Sequence, residues 1–520
     1  MTTYVCAVDV GTRSARAAFF DAQGRMSARE VEPIDVHVGL NTQGEYLSDD
    51  IWAAVCRVVR KARASAGIPA RDVVALAFDA TCSLVLMEVD GRPLAFGAEG
   101  RDTFAWFDRR ATDQAKACTA VGGDTIDRLC GVMSPEMQLP KLLWLRGHRP
   151  DVWARLGRAL DLPDWLAFRA TGEIGQSVSA MGTKWPWSPS GGWDHALLQG
   201  LDCAVLVDKL DLPQSGQVVG SAAGMLTGPS AKALGLAPGI PVGTGLIDGY
   251  AGALGCHALA NAAESAGALT LIAGTSASIL ALRPDASQIS GVWGPFRGVP
   301  VDSVSSHEGG ITNAGALLDH VLAHWPSIDG AHIGHPRILA EIETHLERRG
   351  DDFAAELHVL PDFNGSRGPV GDPKWRGVVH GLRLDSSIAA LAALYWRSAV
   401  ALALTLGDAV ERFSQGGLGS DTLAATGGLM RSDLIAQLFA DVTGKRIILP
   451  VEVDAVLLGT AFSASLAAGW AESIDEAGMR MAPATRVIKP QSSRSSAIAR
   501  DRAVYRRMLE HRAEITAMLE

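Results

Sequence analysis

YVCAVDVGTRSARAAFF, residues 4–20, is the stretch that decides the fold. Val5, Ala7 and Val8 predict a buried strand that ends on Asp9. Gly11-Thr12-Arg13-Ser14 predicts a tight turn, and Ala17, Ala18, Phe19 and Phe20 a second strand running back, closed by a further turn at residues 21–24. A carboxylate at a strand end can hold a hydrated divalent cation. A turn of glycine and hydroxyl residues offers backbone N–H groups and O–H donors to phosphate oxygens.

The same design returns at residues 269–282, LTLIAGTSASILAL: an apolar strand, a Gly274-Thr275-Ser276 turn and an apolar strand back. Alone, each hairpin reads as an ordinary β-turn, because Gly-Thr-Ser turns are common in sheets. The repetition, once in each half, points to a duplicated architecture with a nucleotide between the halves.

The chain has 520 residues, too many for one core, and two domains are the natural expectation. With 48% hydrophobic and 20% charged residues the composition is that of a soluble globular protein. The net charge of -10 argues against a nucleic-acid partner, which needs a basic face. Seven scattered cysteines form no C-x-x-C pair, which suits a reducing cytoplasm and argues against a zinc site or disulfide framework. The chain enters a strand at once, so no signal peptide is expected. The apolar run at residues 388–406 is interrupted by Arg397 and reads as a buried core helix, not a membrane span.

Further along, Ser48 is expected to cap a helix to about residue 64, with Ile51, Trp52, Val55, Val58 and Val59 on its inner face. Residues 73–79 read as a strand, with Asp79-Ala80-Thr81-Cys82-Ser83 at its carboxyl end, the edge where open α/β sheets bind ligands. The competing reading is a polar turn. Trp106-Phe107-Asp108-Arg109-Arg110 follows, then pieces of helix over residues 133–169. Residues 179–193, rich in Trp, Gly and Pro, are expected to be irregular. Lys184 lies there as a surface charge or, given Trp185, Trp187 and Trp193, as part of a pocket for the apolar face of a sugar. Asp248 follows a short strand at residues 241–243, with Gly249, Gly252 and Gly255 at a spacing that lets a helix press on its neighbour. Asp248 reads either as an N-cap or as a cleft residue between the two hairpins. Glu308, in the segment 305–310, reads as a loop acid or as an acceptor for substrate hydroxyls. Residues 361–375 read as a long irregular loop. A strand at residues 423–426 ends in Gly427-Gly428, where bare backbone suits a flat ring; the alternative is a helix-stop turn. Ser432 and Asp454 are expected to cap helices over residues 433–442 and 455–468, and Gly444 to stop the first. A final helix from residue 496 should pack Val504, Tyr505, Met508, Leu509 and Ile515.

Taken in order, DVGTRSAR, FDATCSL, WFDRR, GLIDGYAGALG, GTSASIL, EGG and TGGLMRSDLIAQLFADVTGK resemble the motifs of the FGGY carbohydrate kinases, members of the actin-like (ribonuclease H-like) ATPase superfamily, over nearly the whole chain. DATCSL, Lys184 and the Glu-Gly-Gly at Glu308 are most similar to the ribulokinase branch, D-ribulokinases in particular. The resemblance implies an α/β protein of two ribonuclease H-like domains, residues 1–257 and 258–520, closing over ATP and a sugar. By match to the family motifs, Asp248 is the general base, and Asp9 and Asp248 lie near Mg²⁺. Gly11, Thr12, Arg13 and Ser14 form the first phosphate loop and Gly274, Thr275 and Ser276 the second. Gly427, Gly428, Met430 and Ser432 border the adenosine, while Ala80, Thr81, Lys184, Asp248 and Glu308 hold a ketopentose. D-ribulose is the sugar implied first, with L-ribulose, xylulose and the polyols erythritol and xylitol as alternatives. A silent sugar-binding regulator and a chaperone-like ATPase are the rival classes. The analogy also implies a homodimer. The chain departs from the family pattern at His307-Glu308-Gly309-Gly310-Ile311-Thr312, where relatives often carry Ser-Glu-Gly-Gly-Gln-Ser, and has a bulky Met430-Arg431 before Ser432.

Overall fold

The two Gly-Thr turns sit at the centres of two sheets of seven strands each. The computed structural model describes residues 2–39, 43–263, 265, 267–284, 287–325, 333–365 and 375–519. In the first sheet β1 (Tyr4–Val10) and β2 (Ser14–Asp21) pair antiparallel, and the Gly11 N–H donates to the Ser14 carbonyl at 3.0 Å to close the turn. β3 (Met26–Pro33) adds antiparallel to β2, and β4 (Val73–Ala80) parallel to β1. β5 (Ala222–Met225), β6 (Pro241–Gly243) and β7 (Leu246–Ile247) complete the order β5-β6-β4-β1-β2-β3, with β7 also on β4.

The second sheet repeats this plan. β8 (Leu269–Ala273) and β9 (Ala277–Arg283) form its hairpin, closed by the Gly274 N–H on the Ser276 carbonyl at 2.9 Å. With β10 (Trp293–Arg297), β11 (Ser305–Ile311), β12 (Thr422–Thr426), β13 (Arg446–Pro450) and β14 (Thr485–Ile488) the order is β10-β11-β9-β8-β12-β13-β14. In both sheets an antiparallel strand flanks the hairpin on one side and two successive parallel strands lie on the other. The repetition visible in the two turns therefore extends to the sheets.

Helices bury the central strands on both faces, which is why β1, β4, β8 and β12 are largely apolar runs without alternation, whereas the edge strand β3 is polar and part-exposed. α1 (Ser48–Ser65) lies on β2 and β3 and buries the five inner-face residues expected of it. Ser48 does not cap it. Leu47 holds the cap position, and the Ser48 hydroxyl and N–H both donate to the carboxylate of Asp102 (2.7 and 3.0 Å), which takes over the capping. Residues 179–193 are not irregular throughout. α2 (Val178–Lys184) is a buried helix capped by the Ser177 hydroxyl, which accepts from the Ala180 N–H. The prolines that suggested a loop all follow it. Residues 305–310 are likewise the strand β11 and not a loop.

α3 (Asp248–Ala262) and α6 (Ala455–Ala467) form the layer between the sheets. They cross the chain's own division. α6, from the second half, puts Leu457, Leu458, Ala461 and Phe462 into one core with Val5, Ala7, Phe20, Ala75 and Ala77 of the first sheet. α3, from the first half, packs Cys256, Leu259 and Ala260 against Ala424 and Ile448 of the second. The two helices touch backbone to backbone: a Cβ at Gly255 would lie 1.9 Å from the Ala455 carbonyl oxygen, and one at Gly459 1.9 Å from that of Ala251. This is the close approach that the glycine spacing predicts.

In the second half α4 (Ile388–Phe413) is the one described helix which, with its extension to Leu418, has the length and apolarity to cross a membrane, and 67% of its apolar 18-residue stretch is buried here. Its Arg397 is buried and donates to Asp501 at 2.7 Å and the Leu357 carbonyl at 2.6 Å. α5 (Asp433–Thr443) is capped by Ser432 and ends at Gly444, and Asp454 caps α6, as expected. In the last helix, α7 (Ser495–Leu519), Tyr505 is buried but Ile515 is 58% exposed; Arg512 occupies the buried position on that turn and reaches Asp362. Residues 366–374 of the loop expected at 361–375 lie outside the described residues.

Candidate active site

Parallel pairing sets Asp9 of β1 opposite Asp79 of β4, and Leu246 of β7 also opposite Asp79. Asp248, one residue past β7, opens α3. Three carboxyl groups therefore gather at the carboxyl edge of the first sheet. Asp9 and Asp79 are buried and Asp248 is half-buried. Arg16, opposite Asp9 on β2, donates to it at 2.7 Å. Asp79 accepts the hydroxyl of Thr460 from α6, and its other oxygen has no hydrogen-bond partner. Burial and the neighbouring Asp9 push the Asp79 carboxyl well above the usual carboxylate range. Burial raises Asp9 too, against the pull of Arg16. Asp248 is pushed up to about 6 by burial and by Asp9, and restrained by the Gly249 N–H, Lys184 and Arg16. It is a carboxylate poised to take a proton near neutral pH.

The first hairpin tip lies at this edge, directly after Asp9, and Ile272, two residues before the second tip, packs against Gly252 of α3, four residues after Asp248. Thr12 is fixed from two sides: its carbonyl accepts from the Tyr46 hydroxyl at 2.9 Å and its hydroxyl from the Trp106 indole at 3.0 Å. Gly11 and Ser14 are half-buried and Arg13 is exposed. In the second tip Gly274 and Ser276 are half-buried and Thr275 exposed. N–H groups of Ala314 and Gly315 tie that tip to the start of the following helix at 2.9 Å each. Gly427, with φ of +106°, ends β12 so close to β8 that a Cβ would lie 2.3 Å from the Ala273 carbonyl oxygen. Gly428 is exposed, and a Cβ there would meet nothing within 4 Å. Met430 is turned into the core of the second half, and the Ser432 hydroxyl is engaged as the cap of α5.

On the other side of Asp248, Ala80 is fully buried and the Thr81 hydroxyl bonds that of Ser83 at 2.9 Å. Ser83 also accepts the Trp106 N–H. Lys184, the last residue of α2, is buried to 6% exposure. The next residue, Trp185, donates its indole N–H to Asp161 at 2.7 Å, which anchors that end of the helix. Glu308 is half-buried on β11. Its cross-strand neighbour Leu280 packs into the first half's core beside Met181, Ile247 and Tyr250, and the Tyr250 hydroxyl bonds Ser306, two residues before Glu308. Successive residues of a strand alternate faces, so Ser306 and Glu308 look toward Asp248's helix while His307 points away. His307 is fully buried and bonds the Ser287 carbonyl at 2.9 Å. The histidine in that motif is thus a packing feature of the far face.

Asp9 and Lys184 both act electrostatically on Asp248, Lys184 lies over the ring of Trp293, the cross-strand partner of Glu308, and Thr81 follows the end of β4. Sequence reasoning names Asp79 at the ligand edge and Trp106 in a family motif without giving either a role, and it passes over Thr460. Asp79 carried the same signal as Asp9, an acid closing an apolar strand. Trp106 stood inside a recognised motif, and Thr460 gave no signal within its apolar helix.

Residues 4–255 match the N-terminal domain and residues 269–468 the C-terminal domain of the FGGY family of carbohydrate kinases. The chain belongs to that family. FGGY kinases are ATP-using sugar phosphotransferases, and this one is a sugar kinase with the two-domain, α/β actin-like ATPase fold. It is 34% identical over 543 residues to an FGGY carbohydrate kinase domain-containing protein of Danio rerio, covering 99% of each chain. To a D-ribulokinase of Saccharomyces cerevisiae it is 30% identical over 519 residues, covering 90% of this chain and 72% of that one. A ligand-bound xylulose kinase from Lactobacillus acidophilus shares the fold with a TM-score of 0.79 at 20% identity, over 99% of both chains.

Among the described residues no three acids, histidines or cysteines surround one point closely enough to hold a metal by themselves. Mg²⁺ that arrives with nucleotide phosphates keeps most of its waters and needs only one or two carboxylates. The strand-end acids, with the unpartnered buried oxygen of Asp79 among them, have the hard oxygen chemistry that this requires.

Proposed function

We propose that this FGGY kinase transfers the γ-phosphoryl group of ATP to a terminal hydroxyl of a ketopentose, D-ribulose first, giving D-ribulose 5-phosphate. The observation that carries the reading is Asp248. It stands at the head of α3 between the two hairpin tips, is held near pKa 6, and is flanked by Lys184. Asp248 accepts the proton of the attacking hydroxyl. Backbone N–H groups and hydroxyls of Gly11–Ser14 and Gly274–Ser276 stabilise charge on the transferring group, and Gly427-Gly428 receives the adenine ring. Thr81, Lys184 and Glu308 orient the sugar so that one hydroxyl lies in line. Asp9 and Asp248 would hold Mg²⁺ through its waters, and the ion would neutralise phosphate charge. Residues 1–257 thus supply the base, the sugar contacts and the first phosphate loop, and residues 258–520 the second loop and the adenosine contacts. The reaction belongs in the cytoplasm.

The D-ribulokinase among the relatives and the ribulokinase of Mycolicibacterium smegmatis, 28% identical over 525 residues, support a ketopentose. L-Ribulose, xylulose and polyols are the alternatives within the same chemistry. The deciding experiment is ADP release with Mg-ATP across D-ribulose, L-ribulose, D-xylulose, L-xylulose, ribitol, erythritol and glycerol. Preference for D-ribulose upholds the reading. Preference for another compound keeps the mechanism and replaces the sugar. No ADP release with any of them points to a substrate outside the panel first and to the regulator reading second.

A further inference from the structure

β10 is the edge strand of the second sheet, yet it is docked on the first half of the chain. Phe296 and Val299 share the first half's core with Leu139, Met181 and Trp185. Gly182 of α2 makes room for this contact, since a Cβ there would lie 2.5 Å from a Val299 methyl group. The strand begins with Trp293, which pairs across the ladder with Glu308. Residues directly opposite in an antiparallel pair stand on the same face. Trp293 and Glu308 are therefore neighbours on the face turned to the cleft. From the other half, the Lys184 ammonium lies 5.8 Å from the centroid of the Trp293 ring, within cation–π range.

We propose that Trp293 is a substrate-positioning residue, whose indole face seats the Lys184 ammonium beside Glu308. The inference rests on the reading of Lys184 and Glu308 as sugar contacts. A flexible, strongly hydrated ammonium on a four-carbon stem has many rotamers. Buried and seated on an aromatic face, it presents its protons in one direction. A small open-chain polyhydroxy compound then meets a cation donor and a carboxylate acceptor at a fixed separation, one from each half of the chain. Sugar binding and the approach of the halves become one event, because the platform exists only while β10 rests on α2.

The test is steady-state kinetics with Mg-ATP and the compound that gives the highest turnover in the panel above, using Trp293→Leu, Trp293→Phe, Lys184→Met and the Lys184→Met/Trp293→Leu double variant. Trp293→Leu should raise the sugar KM about tenfold, with the ATP KM and the melting temperature near wild type. Trp293→Phe, which keeps an aromatic face, should stay within about threefold. The double variant should be no worse than Lys184→Met alone, because Trp293 acts through that lysine. If Trp293→Leu leaves the sugar KM unchanged while Lys184→Met raises it, the role of Trp293 is overturned and the reading of Lys184 stands. If Lys184→Met leaves it unchanged, the reading of the sugar contacts falls, and the proposal with it. Full additivity in the double variant also overturns the proposal. Should Trp293→Leu fail to fold, Trp293→Met keeps the bulk without the ring face and is judged by the same outcomes.

Discussion

Asp79, at the end of β4, accepts the hydroxyl of Thr460, which lies 381 residues further along the chain in α6. The acid cluster of the first sheet is thereby tied to a helix from the second half. Both groups are fully buried, so the bond has no water to replace it.

Thr460→Val keeps the shape and removes that donor. Leaving a buried carboxyl without its partner costs about 1–3 kcal/mol. Urea denaturation should show that loss with an unchanged m-value, because the surface exposed on unfolding is the same. A stability equal to wild type would mean that Asp79 finds another donor.

Asp248→Asn keeps the fold and removes the base. Turnover should fall by about 100- to 10,000-fold while ATP still binds, as measured by nucleotide titration of the variant. The active form is the carboxylate. Wild-type kcat should therefore fall as the pH drops through about 6, and the residual rate of the variant should lack that limb. Near-wild-type turnover in the variant would remove Asp248 from the reaction.

Gly427 and Gly428 separate backbone strain from ligand contact. Gly427→Ala places a Cβ against the Ala273 carbonyl in a left-handed conformation, so the protein itself should be destabilised by about 1–3 kcal/mol or more. Gly428→Ala meets open space within 4 Å. It should melt like wild type yet raise the ATP KM about tenfold, because the methyl group intrudes only on the bound ring. An unchanged ATP KM would move the adenine elsewhere.

Asp161 is buried under α2, with its two oxygens accepting from Trp185 and from Gln138 at 2.7 and 2.6 Å. Burial, partly offset by those donors and by Lys141 and Lys184, pushes its carboxyl up to about 6. The folded state thus holds this proton more tightly than the unfolded chain does. The associated stability is fully present below the ordinary carboxylate pKa and is lost as the pH rises through about 6. Asp161→Asn should be less stable by about 1–3 kcal/mol, since its amide opposes one of the two donors. The difference in melting temperature between variant and wild type should also narrow from pH 4 to pH 7 (about the span of the titration), where the wild type alone loses ground. A difference independent of pH would show that Asp161 does not titrate there.

The hairpins were legible because each sets an apolar run on both sides of a short glycine and hydroxyl turn, a pattern that needs no partner to recognise. Asp9 and Asp248 were legible for a related reason, since each follows a strand. What stayed hidden depends on distant contacts. Trp106 reaches Thr12 across 94 residues and Thr460 reaches Asp79 across 381, and nothing local announces either. The helix that carries Lys184 was hidden by its composition. Gly182 and Thr183 are poor helix formers, and the cap at Ser177 and burial on every side outweigh them. At Ile515 the apolar periodicity misled, because the turn is anchored by the buried Arg512 and its bond to Asp362.

The helix exchange between the sheets has a consequence for how the protein is made. The first sheet emerges from the ribosome with Val5, Ala7, Phe20, Ala75 and Ala77 uncovered, because the helix that covers them is residues 455–467. The amino-terminal half cannot finish its core as an early, independent folding unit. It must wait, with one apolar face bare, until residues 455–467 have been synthesised. Independent folding of the first half ahead of the second is thus closed to this chain, and its nascent form carries an apolar face prone to aggregate until α6 covers it.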